Sequence, residues 1–562
     1  MRNKPMHLYI FIVITIVILS VVYYNMKSKG KFIKSLNETF GHKPKDYLED
    51  FDMTFLKNHY EIRKKNESSG ESIDELTWND LDMDAVFKRI NYTKTSLGEA
   101  YLYYKLREIS YNKDEWTSLE KLINLFTTNE DLRNKVSLLL LKVGKLNNLN
   151  LTNFIYNPKF SKIPSYYKYP LLSLGFIFSL LLCFIYPKVG LILSFIFLCI
   201  NILSYQSEKI FLEDRFKVMI YLLNNINLCR SLSKIKDKDF EFFRKEVSSA
   251  LHNFKALNKV KIYGNSFQRN ENSFTDSDII FDYIKMFFMV DIIAYQNSVK
   301  ILEENKENLY KIYDIVAKLD FSLSLAYYRK SLSEYTTPEF IESEDILLEN
   351  LYHPLIHNPV KNSILIKNNI LFTGSNASGK STFIKAVALN CILAQSLNTA
   401  LCSKYRCKFS KVITSMAIKD NILAGDSYFI AEIKSLKRLL DSLNGEIRVL
   451  AFVDEILKGT NTIERISASA SILKYAENTN GRLLVATHDM ELTQILETYE
   501  NYHFSETVTE DGVTFDYKLK KGPSNTRNAL KLLKAMNFNK DVVSLSNQVY
   551  NNFIETEKWG KL

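Results

Sequence analysis

Ile370-Leu371-Phe372-Thr373-Gly374-Ser375-Asn376-Ala377-Ser378-Gly379-Lys380-Ser381 is a short apolar run that breaks into a glycine-bounded loop closing on lysine and serine. The run Ile370 to Thr373 predicts a buried strand, and Thr382 to Leu397 (TFIKAVALNCILAQSL) continues as a helix. A strand, a G-x-x-x-x-G-K-S loop and a helix, in that order, predict a phosphate cradle in an α/β sheet. The glycines let backbone N–H groups curve around phosphate oxygens, and the helix N-terminus adds partial positive charge. Lys380 is placed to reach β and γ oxygens and Ser381 to ligate Mg²⁺. The loop from Gly374 through Ser375, Asn376, Ala377, Ser378 and Gly379 to Lys380 and Ser381 is therefore the expected seat of ATP with Mg²⁺.

Downstream, Arg448 to Val453 predicts a second strand, and its apolar run ends in Asp454-Glu455. An aspartate there can hold Mg²⁺ through water, and the adjacent glutamate can polarise an attacking water. Arg482 to Thr487 predicts a third strand ending in His488, which can contact the γ-phosphate or orient water. Ligands of open α/β sheets sit at the carboxyl ends of the strands, where all three groups fall. Short β-rich runs alternate with helices from about Tyr335 onward, so the C-terminal third is read as α/β.

Upstream the texture is helical. Met83, Val86, Phe87 and Ile90 recur at helical spacing within about Trp78 to Leu149, and the same pattern runs from about Phe211 to Leu332. Polar stretches at Tyr263 to Ser266 and Asn270 to Ser277 interrupt the second region. Lys64 to Ser72 (KKNESSGES) marks a linker before the first, and no internal repeat is present.

Three nearly charge-free runs point to a bilayer. Leu8 to Tyr24 is long enough for a helix to cross roughly 30 Å of hydrocarbon, and no small-x-small cleavage site follows it, which favours an uncleaved anchor. Tyr169 to Pro187 and Val189 to Ser207 predict a helical hairpin turning at Pro187, Lys188 and Gly190. Basic residues follow the first span (Lys27, Lys29, Lys31, Lys34) and bracket the hairpin (Lys159, Lys162, Lys168, Lys209, Arg215, Lys217). They place the C-terminal part in the cytoplasm and the N-terminus outside. The expected location is thus the cytoplasmic membrane, through three spans. The six cysteines form no C-x-x-C pair with matching histidines, so neither zinc nor a disulfide framework is indicated. A net charge of +10 suits either nucleic acid or an anionic leaflet.

These elements resemble the ATPase domain of the MutS family, within the ABC class of P-loop ATPases. Thr373 to Thr382 (TGSNASGKST) is similar to TGPNMGGKST, which adds Thr382 to the nucleotide contacts. Asp454 to Thr462 (DEILKGTNT) resembles DEIGRGTST, and Ala486 to Thr493 (ATHDMELT) resembles ATHYFELT. Ala424 to Glu432 (AGDSYFIAE) resembles the signature SGRSTFMVE, with Ala424 and Tyr428 in place of its usual serine and threonine. In that class the signature serine reaches the γ-phosphate held by the partner subunit. The resemblance therefore implies a homodimer in which Gly425 and Ser427 complete the neighbour's site. His353-Pro354-Leu355-Ile356 matches an HP segment upstream of the first strand. Asn91 to Gly98 (NYTKTSLG) resembles NxTKTxMG at the start of the family's helical lever, and Leu319-Asp320 with Tyr335 to Phe340 resembles its end.

The resemblance covers roughly 75 to 555. About fifty residues separate the first span from the lever-like start, too few for a mismatch-reading domain and a connector, so no wedge aromatic is assigned.

The expected organisation is a multidomain chain: N-terminal transmembrane helix 1–30, linker 31–74, helical lever 75–168, transmembrane hairpin 169–207, helical lever 208–334, and α/β P-loop ATPase domain 335–555. The expected function is ATP hydrolysis by a dimer, coupled to mismatched or branched DNA. The alternative is an ATP-driven switch on a membrane or protein partner without DNA. An ABC transporter half fits less well, because Lys380 to Asp454 leaves no room for a transporter-type helical insert.

Overall fold

The computed structural model describes residues 27, 30–44, 52–67, 71–109, 113–146, 148–157, 167–253, 283–375, 378–416, 428–509, 512–524, 530, 533, 538–556 and 558–559. The predicted first span Leu8 to Tyr24 lies outside these residues, as do Tyr263 to Ser266 and Asn270 to Ser277. The chain divides into two units, 1–69 with 90–104 and 113–331, and 70–89 with 105–112 and 332–562.

The first unit is helical: α1 (Thr54–Asn66), α2 (Lys113–Thr128), α3 (Glu130–Val143), α4 (Leu149–Tyr156), α5 (Lys168–Ile185), α6 (Pro187–Leu232), α7 (Glu241–Asn253), α8 (Val290–Glu304) and α9 (Lys306–Lys330). Helix α9 runs through the packed interior, with Ile312, Val316, Leu319, Phe321 and Leu323 all buried. It also buries a carboxylate. Asp320 accepts from Lys94 N (3.0 Å), Thr95 N (2.7 Å) and Thr95 Oγ1 (2.7 Å). Burial pushes this carboxyl up, and the three donors oppose the shift. A Cβ on Gly98 would stand 2.3 Å from Asp320 Oδ2, which explains a glycine in that register. Next to it the buried Glu99 accepts from Lys145 Nζ at 2.6 Å and Asn91 Nδ2 at 2.5 Å. The Asn91 to Gly98 stretch and Leu319-Asp320, far apart in sequence, are one buried polar knot.

Helices α5 and α6 form an antiparallel hairpin, and each is long and apolar enough to cross a membrane. The turn differs from the sequence expectation. Tyr186 alone separates the helices and Pro187 occupies the first position of α6, where its missing N–H costs nothing, so Lys188 and Gly190 are helical. Ser194 Oγ donates to Ser179 Oγ across the pair (3.0 Å). Outward-facing Leu171, Phe178, Phe184, Leu191, Phe195 and Leu203 are each more than half exposed. Helix α6 continues well beyond the apolar run, for 46 residues in all, because neither glycine nor proline interrupts it after Gly190.

The second unit is α/β. Its strands are β1 (Glu339–Phe340), β2 (Ile346–Leu351), β3 (Asn362–Ile366), β4 (Ile370–Thr373), β5 (Lys404–Cys407), β6 (Lys411–Ser415), β7 (Val449–Asp454), β8 (Gly481–Ala486), β9 (Glu500–His503), β10 (Glu506–Thr509), β11 (Gly512–Phe515) and β12 (Lys520–Lys521). Its main helices are α10 (Lys380–Leu397), α11 (Tyr428–Leu443), α12 (Thr462–Ala476), α13 (Glu491–Ile495) and α14 (Lys540–Thr556). The principal sheet has the order β12-β9-β4-β8-β7-β6, parallel except where β12 joins β9. A second sheet has the order β1-β5-β2-β3.

Both faces of the main sheet are covered, which is why β4, β7 and the Leu483 to Ala486 part of β8 read as apolar runs. Leu371, Ala451, Val453, Leu483 and Val485 pack with Leu436, Leu439 and Leu443 of α11 and Leu473 of α12. On the other face Phe372 meets Phe383 of α10, ring centroids 5.6 Å apart.

An N-proximal segment closes the β6 edge. Asp80 accepts from Thr414 Oγ1 (2.7 Å) and Met416 N (2.9 Å), and Lys411 pairs with Glu71 at 2.5 Å. An edge strand covered this way cannot recruit foreign strands. The stretch Lys64 to Ser72 divides among three fates: Lys64 to Asn66 complete α1, Ser68 to Gly70 lie outside the described residues, and Glu71–Ser72 pairs with Glu108–Ile109.

Candidate functional site

Strand β4 lies between β8 and β9, and β8 lies between β4 and β7, so three parallel neighbours deliver their carboxyl ends side by side. Past those ends the backbone stays tied: Glu455 N donates to Ala486 O and Thr487 N to Phe372 O, both at 2.9 Å.

The loop after β4 needs glycine twice. Gly374 has φ +127° and Gly379 φ +103°, and a Cβ on Gly374 would stand 2.4 Å from Phe504 O. Ser375 Oγ donates to Glu506 Oε2 (3.0 Å), and Ser378 Oγ donates to Ser375 O (2.7 Å). Asn376 and Ala377 lie outside the described residues. Lys380, Ser381 and Thr382 form the first turn of α10, with Gly379 at its cap. Lys380 is 1% exposed, and its Nζ donates to Gly374 O (2.5 Å) and Ser375 O (2.9 Å) at the mouth of the loop.

Burial lowers the Lys380 ammonium to about 8, against the opposing pull of Glu455, Asp454 and Glu506. A phosphate partner needs the charged form, which dominates below that value. ATP affinity should therefore be highest below about pH 8 and weaken above it, by up to about tenfold per pH unit, with an enzyme-free readout such as a fluorescent ATP analogue. A flat affinity between pH 7 and 9.5 would exclude Lys380 as the phosphate ligand.

Asp454 ends β7, and its buried Oδ1 has no hydrogen-bond partner among the described residues. An orphaned carboxylate oxygen beside a phosphate loop is what a hydrated Mg²⁺ would satisfy. The described residues contain no group of three His, Cys, Asp or Glu side chains able to hold a metal.

Glu455 follows in the left-handed region (φ +61°), a sparsely populated conformation for a non-glycine residue at a functional turn. Its Oε1 lies 2.9 Å from His488 Nε2, and its Oε2 lies 2.9 Å from Lys458 Nζ. The His488 hydrogen bond, with help from Lys458, lowers the carboxyl from 4.5 to about 2 against the effect of burial. Glu455 and His488 are thus brought together. Gly425 and Ser427 lie outside the described residues.

Several contributors carry no motif of their own. Glu432 is buried on α11 and accepts from Lys458 N (3.2 Å), bracing the loop after Glu455. A cleft of about 590 Å³ adjoins Gly379 and Thr382, walled by Tyr352, His353, Ile356, Phe504 and Tyr517. Asn362 holds its rim, donating to Tyr517 O (3.0 Å) and accepting from Leu519 N (2.9 Å). The HP segment was the sequence signal for one wall.

The match to the family described as MutS domain V covers residues 370–554. The chain is 30% identical over 287 residues to the DNA mismatch repair protein MutS of Fusobacterium nucleatum, covering 48% of this chain and 32% of that protein. It is 31% identical over 289 residues to the human MutS protein homolog 4, covering 46% and 30%. It is 27% identical over 281 residues to MutS of Clostridium botulinum strain Hall, covering 46% and 29%. The matched stretch spans about a third of the length of each of these relatives.

Proposed function

Because the chain belongs to the MutS family, we propose that it is a membrane-anchored ATPase working as a homodimer and coupling its nucleotide cycle to DNA. One observation carries the reading: a glycine-bounded lysine loop, an orphaned acidic strand end and a glutamate–histidine pair converge at three adjacent parallel strand ends. In this reading Gly374 to Thr382 hold the phosphates, and Ser381 and Asp454 would hold Mg²⁺, which when bound would neutralise charge on the phosphate oxygens. Glu455 orients and deprotonates the attacking water, and His488 fixes the carboxylate or reaches toward the γ-phosphate. The apolar cleft beside Gly379 and Thr382 has the size and lining to take the base of the nucleotide. Gly425 and Ser427 of a second copy would complete the site.

The curated relatives named for DNA mismatch repair, together with a net charge of +10, support DNA as the partner. The exposed apolar hairpin α5–α6 supports a bilayer location. It also favours the second reading, a switch acting on a membrane or protein partner.

The deciding experiment measures ATP turnover by the full chain in lipid nanodiscs with perfect, mismatched and branched DNA at low salt. Turnover that rises severalfold with DNA supports the first reading. No DNA binding at low salt, with stimulation by anionic lipid instead, would replace it with the second.

A further inference from the structure

A second pair of charges lies just outside the glutamate–histidine pair. Arg465, in the first turns of α12, donates from Nε (3.0 Å) and from an Nη (2.6 Å) to the two carboxylate oxygens of Asp489. Asp489 immediately follows His488, in a stretch that resembles ATHYFELT but carries aspartate where that stretch has tyrosine. A bidentate guanidinium–carboxylate fork restrains orientation as well as distance, which a single contact does not.

Both ends of the fork are fixed. Helix α12 begins on the Asn461 cap, whose side chain accepts from Glu464 N (3.0 Å), while Thr460 Oγ1 donates to Glu464 Oε2 (3.0 Å). Asp489 N donates to Thr487 Oγ1 (3.0 Å), and Asp489 O accepts from Leu492 N at the entry to α13. The fork therefore joins the start of α12, the helix that follows the loop presenting Glu455, to the loop after β8 that presents His488. The His488 side chain is itself 38% exposed, so packing alone does not hold its ring on Glu455.

We propose that Arg465 and Asp489 form a positioning clamp that sets the His488 ring against Glu455. The clamp touches no reacting atom, and the proposal rests on the reading of Glu455 and His488 as the hydrolytic pair.

The test uses the full chain in nanodiscs with Asp489→Asn and Arg465→Gln, and Arg465→Lys as the conservative variant that keeps charge but not the fork. Both disrupting variants should lower kcat about tenfold to a hundredfold with KM for ATP nearly unchanged, because misplacement by about 1 Å costs that much. In a His488→Ala background, Asp489→Asn should cause no further loss. Independently of activity, modification of His488 by diethylpyrocarbonate, read by peptide mass spectrometry, should run severalfold faster in Asp489→Asn and at an intermediate rate in Arg465→Lys. An equal kcat loss in the His488→Ala background, or unchanged His488 labelling, overturns the clamp. If the unaltered chain hydrolyses no ATP, the catalytic reading falls while the labelling still decides the clamp.

Discussion

Lys380→Ala is expected to leave a folded chain that no longer holds ATP. The ammonium is buried at the mouth of the loop, donates to the Gly374 and Ser375 carbonyls, and is charged below about pH 8. Removing one partner of a desolvated charge-assisted contact costs about 2 to 5 kcal/mol, or roughly thirtyfold to several thousandfold in affinity. Equilibrium binding of a fluorescent ATP analogue, with circular dichroism as the check on folding, measures it. Affinity within threefold of the unaltered chain would mean that the phosphates sit elsewhere.

Glu455→Gln should separate binding from chemistry. The amide keeps the shape and its single oxygen can still accept from one of His488 and Lys458, but it cannot take a proton from water. ATP should bind with nearly unchanged affinity, while single-turnover hydrolysis falls by about 10² to 10⁴-fold. Undiminished hydrolysis would exclude Glu455 as the base. The carboxyl is held near 2 by His488 and Lys458, so it stays ionised across the neutral range but is a weak base in that arrangement. The same depression carries a stability signature: its contribution is complete above about 4.5 and is lost as pH falls toward about 2.

The strand–loop–helix around Lys380, the acidic end of β7 and the histidine after β8 were legible because each is an apolar run ending in a reactive group. Double-sided burial produces that pattern wherever such a strand occurs. Helix Met83–Ile90 was legible for a related reason, since Met83, Val86, Phe87 and Ile90 form one fully buried face.

Partners were harder to read than faces. Periodicity says that a face is covered but not by what, so the cover that residues 71–80 lay over the β6 edge left no mark. The cleft beside Gly379 takes its walls from three separated segments, around His353, Phe383 and Tyr517, which no local period connects. The Arg465–Asp489 fork joins a helix start to a loop, and their charges, taken singly, look like solvated surface. The turn at Tyr186 was misplaced by two residues because proline reads equally well as a turn residue and as the first residue of a helix.

At 1.5 Å per residue the 46 residues of helix α6 form a strut of roughly 69 Å, with its apolar part at one end and its packed part in the helical body at the other. Such a strut transmits torsion as well as tilt. Each residue turns the screw by about 100°, so the azimuth of the apolar hairpin is phase-locked to the body that holds Leu222 and Ile226. One residue inserted near Glu213 would swing the hairpin to a different heading, whereas seven would return it almost to its original one while lengthening the strut by about 10 Å.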